Sequence, residues 1–248
     1  MLTFTVKNSS RLFIGRNLFC SVANCKENVV DPVQESFLKE RCFLVDENDK
    51  IIGQANKKEC HLVQKNGEIP LHRAFSLFLF NGKGHLLLQK RSPEKITYPE
   101  HYTNSCCSHP VADFPAEDEE INAIGVKRAA QRRLNYELGI SIDSIPLEDF
   151  KYITRVHYKD EGNGKWGEHE IDYVLFLQKD VKLTPNPNEI SEISYVPRKE
   201  LDEFIPTLTG PLTPWFQLIL KHRLRFWWDN LNKLDDVKDH ENILRLKF

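Results

Sequence analysis

The stretch EDEEINAIGVKRAAQRRLNYELG, residues 117–139, carries the clearest helical pattern in the middle of the chain. Glu117, Asp118, Glu119 and Glu120 occupy the expected first turn, where anions suit the positive end of the helix dipole. Arg128, Arg132 and Arg133 fall toward the other end, and Gly139 is placed to terminate the helix. Ala123, Val126, Ala130 and Leu134 form a rough apolar stripe. A helix over residues 117–138 is therefore expected, with one face on a core.

Strands surround it. Cys42–Val45 and Ile51–Gly53 read as two strands joined by the polar turn 46–50. Leu71–Phe80 is a stronger strand, and Asn81-Gly82-Lys83-Gly84 is a turn signal before a return strand, His85–Arg91. The expected hairpin buries Leu86, Leu87 and Leu88. Tyr152–Tyr158 and His169–Gln178 follow as strands, with a glycine-containing turn at 162–164, and Ile193–Val196 as another. Pro185 and Pro187 break the chain between them. From Pro214 to Leu231 the pattern is helical and aromatic-rich. Strands mixed with a few helices point to an α/β or α+β sandwich.

The chain has 248 residues and 40% hydrophobic content, which suits one domain with extensions. A net charge of −2 gives no basic field for nucleic acid. No apolar run reaches the length of a membrane-spanning helix. The six cysteines include no Cys-x-x-Cys pair, which favours a reducing compartment over a disulfide framework. The first 26 residues are basic and contain serine, with no acid before Glu27. That profile fits a mitochondrial presequence or, as the blander reading, a terminal tail in a cytoplasmic protein. Residues 1–35 are set apart on this basis, leaving 36–248 as the body.

Several polar residues could carry chemistry. Glu168 and Glu170 alternate on an expected strand, so both carboxylates share a face. With His61, His72 and His109 they could fill five positions around an octahedral divalent metal, assembled in space. Each histidine alone reads more simply as a hydrogen-bonded or surface residue. Cys107 reads either as a small buried hydrophobe or as a thiol beside metal-bound imidazole, in a positive field favouring thiolate. A zinc cage from Cys106, Cys107 and His109 fits poorly, because adjacent cysteines crowd one tetrahedral ion. Lys57, Arg91 and Lys95 are either surface cations or a diphosphate clamp. Trp215 is either core packing or an indole face over a cation, worth up to about 2 kcal/mol when desolvated.

Together these segments resemble the type I isopentenyl-diphosphate isomerases. The resemblance is carried by Leu71-His72-Arg73-Ala74-Phe75-Ser76, Leu87-Leu88-Gln89-Lys90-Arg91-Ser92, Tyr102-Thr103-Asn104-Ser105-Cys106-Cys107-Ser108-His109-Pro110, Arg128-Ala129-Ala130-Gln131-Arg132-Arg133-Leu134, Trp166-Gly167-Glu168-His169-Glu170-Ile171-Asp172-Tyr173 and Thr213-Pro214-Trp215-Phe216. It covers residues 40 to 245. It implies a Nudix-like α/β/α sandwich with a mixed sheet, plus an N-terminal extension. A Nudix hydrolase is the alternative, so the hydrolase box matters. Its core, Arg-Glu-hydrophobic-x-Glu-Glu-x-Gly, aligns with Arg132 through Gly139 and keeps only Glu137, while the upstream glutamate position holds Ile124. A hydrolase needs that carboxylate cluster to hold metals and activate water.

The resemblance implies a substrate, isopentenyl diphosphate, and a product, dimethylallyl diphosphate, early in isoprenoid and hence sterol synthesis. Cys107 and Glu170 would be the acid–base pair across the alkene. Tyr152 would hydrogen-bond Glu170, and Trp215 would lie over the cationic carbon. His61, His72, His109, Glu168 and Glu170 would hold a divalent metal (Mg²⁺, Mn²⁺ or Zn²⁺). Lys57, Arg91, Lys95 and Ser108 would hold the diphosphate, with a Mg²⁺ supported by Glu137. A monomer is expected, with a small-molecule prenyl diphosphate as its only partner.

Overall fold

The computed structural model describes residues 30–248. The expected presequence over residues 1–26 lies outside the described residues.

The elements run α1 (Pro32–Phe37), β1 (Arg41–Val45), β2 (Ile51–Asn56), α2 (Lys57–His61), β3 (His72–Phe80), β4 (Leu86–Arg91), β5 (Tyr102–Thr103), β6 (Cys106–Ser108) and α3 (Ile124–Leu138). Then come β7 (Lys151–Asp160), β8 (Glu168–Gln178), β9 (Ile190–Val196), α4 (Leu201–Phe204), α5 (Pro214–Ile219), α6 (Arg225–Asp229), α7 (Leu234–Val237) and β10 (Ile243–Arg245). Asp31 caps α1 by accepting the backbone N–H groups of Val33 and Gln34, and Pro32 sits at the first turn, where its missing N–H costs nothing. Gln34, within the segment set apart as an extension, is buried.

β3 organises the mixed sheet. All nine of its residues, HRAFSLFLF, are buried, as a strand covered on both faces requires. One edge pairs in parallel with β8 along its whole length, from His72↔Glu170 to Phe80↔Gln178. The other edge is shared: β1 meets it at His72, β6 at Phe75–Leu77 and β4 at Phe80. The expected hairpin is thus only a corner. β4 leaves β3 after Phe80↔Leu86 and pairs with β9, because β6 already holds that edge.

Period-two alternation divides the apolar residues between two cores. Phe75, Leu77 and Leu79 pack with Val126, Ala130 and Leu134 of α3 on one face. Phe78 and Phe80 pack with Trp215, Phe216 and Trp227 on the other. This is an α/β/α sandwich. The helical stretch expected from Pro214 to Leu231 is divided into α5 and α6 by a π-helical stretch at Leu220–Leu224.

The central helix starts later than expected, at Ile124. The four acids do not line its first turn. Glu117 is buried, accepts the Val111 N–H (2.8 Å) and is held by Arg132 Nε (2.7 Å). Glu119 pairs with Arg128 (2.7 Å) and Glu120 with Arg73 (3.1 Å). The acidic segment therefore folds back along the helix, and Gly125 permits the approach: a β-carbon there would lie 2.4 Å from the Glu117 carbonyl oxygen. Gly139 ends the helix as read, in the left-handed region at φ 65°. Gly125→Ala should lower unfolding stability by about 1–3 kcal/mol in urea titration, because backbone rather than a flexible side chain must give way.

Candidate active site

Two facing strand pairs build the site at the start of β3. The β3–β8 register sets His72 opposite Glu170, and the β3–β6 register sets Ser76 opposite Cys107. All four lie on one face. Alternation then adds Glu168 from β8 and His109 just beyond β6. His61 arrives from the last residue of α2, a helix whose capping box joins Asn56 and Glu59.

His61, His72, His109 and Glu170 are buried, and each offers a ligand atom within 4.8 Å of the others. The ring nitrogens are oriented from outside. His61 Nδ1 lies 2.7 Å from the Lys57 carbonyl and His72 Nδ1 lies 2.9 Å from the Pro70 carbonyl, so both donate outward and both Nε2 lone pairs point in. His72 Nε2 faces His109 Nε2 at 3.2 Å, and His109 Nε2 faces Glu170 Oε1 at 3.0 Å. Glu168 Oε2 has no hydrogen-bond partner and sits 3.1 Å from His61 Nε2. Converging lone pairs and an orphaned carboxylate oxygen in a buried site are the donor set of a divalent cation.

Electrostatics agree. Burial lowers His61 to about 3, helped by the charges of His72 and Lys57. Burial likewise pushes His109 well down. Burial would also lower His72, but hydrogen bonding and the charge of Glu170 raise it to about 9. Burial would raise Glu170, yet its bonds from His109 and His72 hold it well below the usual carboxylate range. Glu168 is driven well up by burial and by Glu170. The cluster draws positive charge to Glu170, the demand that a metal ion meets.

Cys107 and Cys106 point to opposite faces. Cys106 is wholly buried in the α3-side core; Cys107 opens to the cavity beside the cluster. The thiol donates to Asn104 Oδ1 (2.9 Å) and receives the Trp215 indole N–H (3.0 Å). Burial and the nearby Asp172 carboxylate push it up to about 12, against the lowering effects of Thr103 and Arg91. Burial thus favours the thiol over the thiolate here, opposing the positive field that a metal on the neighbouring imidazole would add.

Lys57, Arg91, Lys95 and Ser108 line the same cavity, and Trp215 closes one side of it. Arg91 is fixed by donating to the Thr97 and Tyr98 carbonyls (2.7 and 3.0 Å) and stands over the Trp215 ring (5.7 Å). Arg133, expected only as a cation toward the end of the helix, also lines the cavity. Glu137 is buried behind it, taking both Arg133 Nε (3.0 Å) and Nη2 (2.7 Å) on Oε1.

One expected partner is wrong. Tyr152 does not reach Glu170: it pairs opposite Leu175 and stacks on His240 (4.0 Å) and Tyr173 (5.3 Å). Tyr158 stands opposite Glu170 in the β7–β8 register and donates to Oε2 at 2.6 Å. Six residues of extended strand, roughly 20 Å, separate the two tyrosines. A bulge between Tyr152 and Thr154 also shifts the register of the former. Tyr158 could have been found by laying the strand before the 162–164 turn against the strand after it.

The NUDIX domain family matches residues 70–216. The chain is 52% identical over 220 residues to isopentenyl-diphosphate Delta-isomerase 1 of Mus musculus, covering 88% of this chain and 96% of that one. It is 46% identical over 226 residues to the chloroplastic isopentenyl-diphosphate Delta-isomerase I of Arabidopsis thaliana, covering 88% and 77%. The crystal structure of DR0079 from Deinococcus radiodurans shares the fold, with a TM-score of 0.51 and 20% identity over 74% of this chain and 99% of that one. Replacing His109 by Ala should remove one equivalent of bound divalent metal, read by elemental analysis after equilibrium dialysis, with the far-ultraviolet circular dichroism retained. Full metal occupancy in that variant would rule out the cluster as the binding site.

Proposed function

The chain belongs to the Nudix-fold isopentenyl-diphosphate Delta-isomerases and converts isopentenyl diphosphate to dimethylallyl diphosphate; we propose that Cys107 and Glu170 carry the proton on and off the carbon chain. The observation that supports this most directly is their arrangement. They come from β6 and β8, on opposite edges of β3, and face one cavity. Burial raises the thiol and the histidines lower the carboxylate, so the directions favour one proton shared between the two groups. Moving a double bond needs that pairing: one group gives a proton to the alkene and the other takes one from the adjacent carbon.

The other residues serve this step. The Trp215 indole donates to the thiol sulfur, fixing Cys107, and its ring borders the cavity where a tertiary cation would form. Tyr158 holds one oxygen of Glu170 while the histidines approach the other. The metal, whether Mg²⁺, Mn²⁺ or Zn²⁺, would be held by His61, His72, His109, Glu168 and Glu170, and when bound supplies Lewis-acid charge at Glu170. Lys57, Arg91, Lys95 and Ser108 would take the diphosphate. Glu137 would support its Mg²⁺ from behind Arg133.

Hydrolysis is disfavoured by the helix itself. Arg133 occupies a box position where a hydrolase carries glutamate, Ile124 and Tyr136 occupy two more, and Glu137 is the carboxylate left. A monomer is the proposed working unit. In heavy water with isopentenyl diphosphate and Mg²⁺, the expected product is a deuterated allylic diphosphate with no phosphate released. Cys107→Ser should lower turnover by about three orders of magnitude or more, as loss of a proton-transfer group does, and Cys106→Ser should keep most of it. Equal losses from both would overturn the assignment.

The basic, acid-free first 26 residues support delivery to mitochondria, with the product entering isoprenoid and sterol synthesis there or in the cytoplasm. A fluorescent reporter fused to residues 1–35 should co-localise with a mitochondrial dye. A reporter that stays cytosolic would remove that reading.

A further inference from the structure

Glu189 lies in the loop before β9 and is buried, yet three elements reach it. Lys95 Nζ, from the segment between β4 and β5, donates to Oε2 at 2.6 Å. Arg133 Nη2, from α3, stands 3.2 Å from the same oxygen. Gln34 Nε2, from α1, donates to Oε1 at 3.1 Å and to Asn188 Oδ1 at 2.7 Å. Lys95, Arg133 and Gln34 all line the catalytic cavity. The carboxylate therefore sits behind the cationic end of the site, with its charge spent on two cavity cations and its second oxygen on the helix that walls the cavity.

We propose that Glu189 is a positioning residue for diphosphate binding: it sets the spacing of Lys95 and Arg133 and tethers α1, through Gln34, against the cavity. This rests on placing the diphosphate against Lys57, Arg91 and Lys95. Two cations this close repel, and a buried ammonium sheds its proton unless an anion faces it. The groups bearing on Lys95 are Glu189, Arg91, Lys57 and Arg133, and of these only Glu189 is negative. Burial lowers Lys95 to about 8, with Glu189 opposing and the three cations reinforcing. Lys95 is thus mostly charged at neutral pH and loses its charge progressively as the pH rises through about 8. Without Glu189 the same loss occurs at lower pH. Glu189 itself is held ionised, down at about 2: burial would raise it, and Lys95 and Arg133 overcome that.

Steady-state kinetics of the full-length enzyme against pH test this. Glu189→Gln keeps the shape and removes the charge. It should raise KM for isopentenyl diphosphate about tenfold at neutral pH, with kcat within about threefold, since diphosphate contacts are uniform binding. The alkaline rise in KM should also move to lower pH. Glu189→Asp restores the charge and should lie closer to wild type than the isosteric Gln. The reverse order would mean packing alone and would overturn the proposal. Gln34→Leu cuts the α1 tether and leaves both cations, so it should raise KM without moving the alkaline limb; a shifted limb there would also sink the charge-based account. Lys95→Ala separates this proposal from its premise. Unchanged KM in that variant removes the diphosphate subsite itself, whereas a raised KM beside a normal Glu189→Gln enzyme removes only the role of Glu189.

Discussion

The parallel pairing of β3 with β8 is the constraint on which the rest depends. Its nine-residue register sets His72 against Glu170, and burial on both faces prevents it from slipping. A shift of one residue would turn Phe78 and Phe80 into the α3-side core and aim His72 and Glu170 away from each other. The apolar residues therefore hold the polar ones in place: the burial of Phe75, Leu77, Phe78 and Leu79 fixes an alignment that His72 and Glu170, with buried charge between them, could not sustain alone.

The opposite edge of β3 supplies the second half of the site because it is divided. Had β4 paired along it as a full hairpin, β6 would have had no strand to join. The splaying of β4 toward β9 leaves Phe75–Leu77 free for Cys106–Ser108, and alternation gives each cysteine its own side. The same splay carries Arg91 and the following loop, with Lys95, to the rim of the cavity. The proposed proton-handling groups and the proposed anion-binding groups are thus set by two different pairings of neighbouring strands.

Much of this was legible in residue order. The strand cores at 42–45, 72–80, 86–91, 152–158 and 169–178 follow from alternation and β-branched or aromatic content, and Gly139 from its place after the last apolar helical residue. The shared face of Glu168 and Glu170 followed from the same period. What was lost lies in contacts between distant segments. Tyr158 was missed because its partner is set by cross-strand register and a bulge, which no local pattern reveals. The late start of the central helix depends on Glu117 finding Arg132 and on the bare Gly125. The hairpin failed because the competing strand, β6, has only three residues and carries little strand signal of its own. The upward shift of Cys107 comes from burial and then from Asp172, 65 positions away in sequence and brought near by the sheet, which no local pattern reveals.

Arg133 bears on how this fold can change its chemistry over evolutionary time. Its guanidinium lies between Glu137 and Glu189, so its charge is part of the packing as well as of the cavity wall. Putting a glutamate at that position would set a third carboxylate beside Glu137 and Glu189 and remove the cation that pairs with both, leaving Lys95 and Lys57 to face them, a costly charge defect unless a metal ion fills it. The box positions at 124 and 136 would still be apolar and aromatic. Restoring the hydrolase box on this scaffold therefore requires linked replacements at 124, 133 and 136. The helix that marks the fold as a relative of hydrolases thus keeps, at 133, a cation on which its own packing relies.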